Sequence, residues 1–172
     1  GAGRLAPENT LAAFRLGAAH GYRMFECDVK LSADDVPFLL HDATLSRTTR
    51  APGWLVLTNG ALAGDQDWRL LSQLDAGRWH SRAFVGEPLP TLENIAQFCI
   101  QNRYCLNIEI KPTPGTEAHT GEIVATHAAR LWKAAPVAPL LTSFQPEALQ
   151  GARDCAPELP RGLLLDSLWT GW

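Results

Sequence analysis

Apolar residues recur along the chain with two periods, one helical and one strand-like, and their alternation outlines an α/β fold. In "PENTLAAFRLGAAHG", Leu11, Phe14 and Ala18 form one helical stripe, Asn9 or Thr10 stands at the cap position, and Gly21 ends the run. "YRMFECDV" and "VPFLLHD" read as strands, the second almost continuously apolar. After residue 90 the alternation is regular. Helix "PTLENIAQFCIQN", with Thr91 at its cap, is followed by strand "CLNIEIK", helix "GEIVATHAARLWK", strand "PLLTSF", helix "PEALQGARDCA" and strand "RGLLLD". Short apolar strands separated by helices predict an α/β fold built on a parallel sheet. Residues 43–90 break the pattern. They are rich in turns and glycine, carry Trp54, Trp68 and Trp79, and contain one short helical stretch, "WRLLSQLDAG". We expect a small insertion subdomain there, cored by the tryptophans, within a single domain spanning residues 1–172.

Composition narrows the partners. With 46% apolar residues the chain is globular, and 15 basic against 18 acidic residues give a net charge of −3. That balance offers no footprint for nucleic acid or an anionic membrane surface. No apolar run approaches the ~18 residues of a membrane span. Cys27, Cys99, Cys105 and Cys155 show neither a CxxC pair nor zinc-like spacing. They read as reduced thiols, which favours a cytoplasmic setting. No signal peptide is visible. The chain opens on Gly1 without a Met, so residues upstream are expected, and the closing "SLWTGW" is expected to lead into further helix and strand.

The chemistry concentrates in three strands. Residues i and i+2 share a strand face, so Glu26 and Asp28 project together and Cys27 the other way; Glu109 and Lys111 of "NIEIK" do the same. These pairs and His41 stand toward the C-terminal ends of their strands, where parallel α/β folds build their sites. Converging carboxylates repel unless a cation lies among them, and oxygen-only donors suit Mg²⁺ or Ca²⁺. His41 beside such an ion would move protons near neutral pH, and Lys111 would hold an anionic group such as phosphate. Only twelve residues separate Asp28 from His41, too few for a helical crossover. Either a hairpin turning at Ala33-Asp34-Asp35 or a bent return into a second barrel strand brings His41 near Asp28; the hairpin sets Asp28 opposite Leu40. Each motif alone is commonly a solvated strand face or a self-paired Glu–Lys; their conjunction points to a site. His20, His80, His119 and His127 read as bystanders.

With these residues in view, the sequence resembles the glycerophosphodiester phosphodiesterase family. The matching text is "LAPENTLAAF", "FECDVKLSADDVPFLLHDATLSRTT", "LDAGRW", "GEPLPTLENIA", "NIEIKPTPGT", "LLTSF" and "APELPRGLLLD", essentially the whole chain. The resemblance implies a TIM (β/α)₈ barrel with a small insertion after the third strand. It also implies a divalent cation held by Glu26, Asp28 and Glu109, His41 as one of two catalytic histidines, and Lys111 near the phosphate, with Glu8 and Phe144 beside the substrate pocket. The implied reaction is hydrolysis of small-molecule glycerophosphodiesters, such as glycerophosphocholine, to an alcohol and glycerol 3-phosphate. Gly1 matches the last residue of the family's His-Arg-Gly motif, so the other histidine and the phosphate-binding arginine are expected just upstream, and the seventh and eighth strands downstream. Taken as a complete chain, the sequence is expected to be inactive and unstable. Two rivals remain: a non-catalytic phosphate- or metal-binding barrel, favoured if the His-Arg is truly absent, and a phospholipase-D-like relative, which would need apolar membrane-binding loops.

Overall fold

The computed structural model describes residues 2–58 and 60–166; Gly1 and the "SLWTGW" segment lie outside them. Helix α1 (Leu11–Ala19) leads into β1 (Met24–Leu31) and β2 (Pro37–Leu39). After the short α2 (Trp68–Leu71) come α3 (Leu92–Asn102), β3 (Cys105–Ile110), α4 (Glu117–Leu131), β4 (Leu140–Ser143), α5 (Pro146–Cys155) and β5 (Arg161–Leu163). The strands lie in the order β2-β1-β3-β4-β5. From β1 to β5 every pairing is parallel, and β2 runs antiparallel on the edge. Helical connections between neighbouring parallel strands make this an arc of a (β/α) barrel.

Local chemistry explains the elements. Thr10, not Asn9, caps α1, its hydroxyl accepting from the Ala13 N–H at 3.3 Å. Thr91 and Asn94 form a reciprocal capping box on α3. Gly121 and Gly151 let α4 and α5 touch backbone to backbone: a Cβ at either would fall within 2.1 Å of a carbonyl oxygen on the facing helix. One buried cluster joins the outer sheet face (Phe25, Cys27, Val29, Ile108, Ile110, Leu141) to Phe14 of α1, Ile95 of α3, Val124 of α4 and Ala148 of α5.

Of the two geometries open for residues 28–41, the chain takes the hairpin. Val29 pairs with Leu39, and the Leu40 N–H donates to the Asp28 carbonyl at 3.1 Å. Asp35, at φ 61°, supplies the tight turn. Strand β2 is therefore an edge arm and not part of the parallel run. A second buried cluster, Phe38, Leu40, Leu45, Ala63, Leu71, Leu74, Ala76 and Leu89, lies beneath the turn-rich segment. There the Asp75 carboxylate closes the loops by accepting the N–H groups of Gly77, Arg78 and Gly86. "WRLLSQLDAG" yields a single helical turn. Trp68 packs on this cluster against Phe38, whereas Trp54 is 71% exposed, so aliphatic side chains form more of the core than the tryptophans do.

Candidate active site

The period of two in β1 carries Glu26, Asp28 and Lys30 to the inner face of the arc. Parallel pairing sets Glu26 beside Asn107 and Asp28 beside Glu109. Carboxylate oxygens of Glu26, Asp28 and Glu109 consequently lie within 4.8 Å of one another. Asp28 sits one residue before the parallel ladder ends at Val29–Ile110; β1 itself runs on to Leu31, paired only with β2. Asn9 fixes Asp28 from outside the sheet. Its amide donates to Asp28 Oδ2 at 2.7 Å, and its Oδ1 accepts the Asp28 N–H at 3.0 Å. For this Asn9 adopts φ 53°, a left-handed backbone that asparagine tolerates.

Lys111 Nζ lies 3.4 Å from Asp28 Oδ1 and 3.5 Å from Glu109 Oε1. Lys111 thus contacts two of the three carboxylates, and the Lys30 ammonium on the same face acts on Asp28 and Glu109 from farther off. Burial, reinforced by Asp28 and then Glu109, pushes the Glu26 carboxyl up to about 7. A cluster of oxygen donors with more negative than positive charge is the chemistry that a hard divalent cation satisfies, and these three residues fit one.

His41 lies two residues beyond β2, half exposed, on a cavity of about 260 Å³ lined also by Glu8, Asn9, Glu26, Asp28 and Arg47. Asp42 Oδ1 is 2.8 Å from its Nδ1. Arg47 braces Asp42 with two bonds, Nε to Oδ2 at 2.6 Å and Nη2 to Oδ1 at 2.8 Å. The same guanidinium grips both oxygens of Glu8. Arg47, and then His41, hold the Asp42 carboxyl well below the usual carboxylate range. An ionised Asp42 only accepts, so the proton of a neutral His41 resides on Nδ1 and Nε2 carries the lone pair.

A second cavity, about 200 Å³, adjoins the carboxylates and is lined by Lys30, Lys111, Ser143 and the half-exposed Phe144. Burial, and then the nearby Lys111, lower the Lys30 ammonium to about 8.

The structure thus brings Glu26, Asp28, Glu109 and Lys111 together, with His41 and Glu8 on one side and Phe144 on the other. Asn9, Lys30, Asp42 and Arg47 also belong to the constellation. Lys30 was readable from the i+2 rule that pairs Glu26 with Asp28. Asn9 resembled a helix cap, and Arg47 lies in text without periodicity.

Residues 1–169 match the glycerophosphoryl diester phosphodiesterase family. A glycerophosphodiester phosphodiesterase of Caldanaerobacter subterraneus subsp. tengcongensis is 30% identical over 166 residues, covering 92% of this chain and 61% of the relative. An Oleispira antarctica phosphodiesterase, solved in complex with the product sn-glycerol-3-phosphate, superposes with a TM-score of 0.84 at 33% identity, over 100% of this chain and 66% of that one. The glycerophosphodiester phosphodiesterase of Agrobacterium tumefaciens strain C58 gives 0.76 at 31% identity, over 94% and 62%. The chain thus spans 61–66% of the length of these relatives.

Proposed function

We propose that this chain, which belongs to the glycerophosphoryl diester phosphodiesterase family, supplies the metal-binding and one proton-transfer side of a hydrolase site. The substrates would be glycerophosphodiesters such as glycerophosphocholine and glycerophosphoethanolamine, and the products an alcohol and glycerol 3-phosphate. The observation that carries this reading is the convergence of the Glu26, Asp28 and Glu109 carboxylates beside His41. The product bound to the Oleispira relative supports the substrate class.

Glu26, Asp28 and Glu109 would hold a divalent cation, Mg²⁺ or Ca²⁺, which when bound polarises a phosphoryl oxygen and stabilises the charge that develops on it. Asn9 orients Asp28 through its two hydrogen bonds. Lys111 offers its ammonium to the phosphoryl group from the same strand face as Glu109. His41 exchanges its proton at Nε2, because Asp42 occupies Nδ1. Glu8 reaches the cavity with both oxygens engaged by Arg47, and Phe144 supplies an apolar wall on the far side. Residues 43–90, packed on a buried cluster they share with Phe38 and Leu40, serve as a small insertion subdomain that presents Arg47 to Asp42, the partner of His41.

The test is turnover of glycerophosphocholine by the gene-length protein with and without EDTA. Turnover that EDTA abolishes and a divalent cation restores is the expected result. A folded protein inactive with every divalent cation sinks the reading. The four free cysteines fit a cytoplasmic setting, which fractionation of the native protein checks; recovery outside the cytoplasm would refute it. Among the described residues no helix is long and apolar enough to cross a membrane.

A further inference from the structure

Lys30 is a charged side chain in an unusual position. It stands on the functional face of β1, one turn of the pleat beyond Asp28, and is only 5% exposed. Its Nζ donates to the Lys111 carbonyl at 3.3 Å, and among the described residues it has no other hydrogen bond and no ion pair. An ammonium carries three donors, so two remain unused. The carboxylates whose charge reaches it, Asp28, Asp42 and Glu109, make no contact with it: Asp28 is held by Asn9 and Lys111, Asp42 by Arg47, and Glu109 by Lys111. Burying a cation without a contacting counter-ion is costly, and the cavity of about 200 Å³ that Lys30 shares with Lys111 is where an anion would make that contact.

We propose that Lys30 is an anion anchor of the substrate site, forming with Lys111 a two-ammonium seat for a phosphate monoester. The seat rests on the phosphodiesterase reading and adds a preference to it. A phosphodiester carries one negative charge near neutral pH, whereas a monoester carries close to two. Paired ammonium groups attract the second more strongly, so the product class binds tighter than the substrate class and inhibits turnover. A lysine that merely struts the Lys111 carbonyl predicts no such preference.

The experiment titrates the full-length, Mg²⁺-loaded protein with sn-glycerol 3-phosphate and with inorganic phosphate by calorimetry, for wild type, Lys30→Met and Lys30→Arg. Lys30→Met is expected to weaken both anions about tenfold, with Lys30→Arg recovering most of the loss. Its melting midpoint should not fall, because an apolar isostere removes a buried charge that has no ion pair in contact. Unchanged affinity for both anions in Lys30→Met, or no binding of either to the wild type, overturns the proposal. Weakening of glycerol 3-phosphate alone also overturns it, since that would place Lys30 on the glycerol hydroxyls. Glycerophosphocholine turnover, measured alongside, separates the two readings. Anion binding that depends on Lys30 without turnover keeps the seat and removes the phosphodiesterase; turnover with anion affinity indifferent to Lys30 does the reverse.

Discussion

The two faces of β1 and β3 do opposite work. On the outer face Phe25, Cys27, Val29, Ile108 and Ile110 are buried against the helices, and each removes apolar surface from water. On the inner face, one residue out of step, Glu26, Asp28, Lys30 and Glu109 hold charges near one another, and burial moves Glu26 and Lys30 toward their neutral forms. The outer face stabilises the arc, and the inner face draws on that stability to keep an electrostatically uncomfortable site in place. Substitutions on the two faces should therefore separate activity from stability.

The largest separation is expected at His41. In the full-length enzyme His41→Ala should lower turnover about a thousandfold, on the order of 4 kcal/mol in the barrier. Because the side chain is half exposed, the melting midpoint should barely move. Steady-state kinetics beside a thermal melt measure both, and near-normal turnover would remove His41 from the chemistry. The converse case is Ile108, fully buried on β3 one residue before Glu109. Ile108→Ala should cost about 3 kcal/mol of stability by denaturant melt while the folded fraction keeps its kcat/KM. Activity lost without stability would mean that the two faces are not separable.

Arg47 sharpens the contrast from within residues 43–90. It joins Asp42 to Glu8, and its Cζ lies 6.0 Å from the Trp79 ring centroid. Arg47→Ala leaves both carboxylates without their cation and loosens the acceptor that fixes His41. A fall in kcat of about tenfold is expected, with KM little changed. Arg47→Lys should recover part of it, since an ammonium supplies charge but not the planar fork. A change confined to KM would place Arg47 on the substrate and not behind His41.

The same contrast shows what was legible in sequence. Where a period carries the information, residue text sufficed: the E-x-D and E-x-K pairs placed Glu26, Asp28, Glu109 and Lys111 on one face, and the twelve-residue link placed His41 beside them. Extending that period by one step reaches Lys30. Asn9 was not legible, because its partner Asp28 lies 19 residues away and its cap-like setting suggested a local role that Thr10 performs instead. Arg47 and the fate of Trp54 were hidden for a related reason. Here the Asp75 carboxylate ties Gly77 and Gly86, and backbone bonds pair Arg50 with Asp75; such contacts leave no repeat in the sequence.

The smallest expected effect is a pH dependence of stability that the inner face alone should produce. Glu26 is raised from 4.5 to about 7 in the folded chain. Between those values the folded state binds more protons than the unfolded state, so this residue makes stability fall as pH rises through that window. Lys30 is lowered from 10.5 to about 8, so between those values the folded state binds fewer protons, and stability should recover as pH rises. Denaturant melts in EDTA at about pH 5, 7.5 and 10 measure both slopes as differences between wild type and variants. Glu26→Gln should flatten the first slope and Lys30→Met the second. A divalent cation should stabilise the wild type more at about pH 7.5 than at pH 5, because the ligands must be ionised to hold it. If Glu26→Gln runs parallel to wild type across the acid window, Glu26 does not sit in the charge-crowded setting that the inner face describes, and the contrast between the faces fails at its first residue.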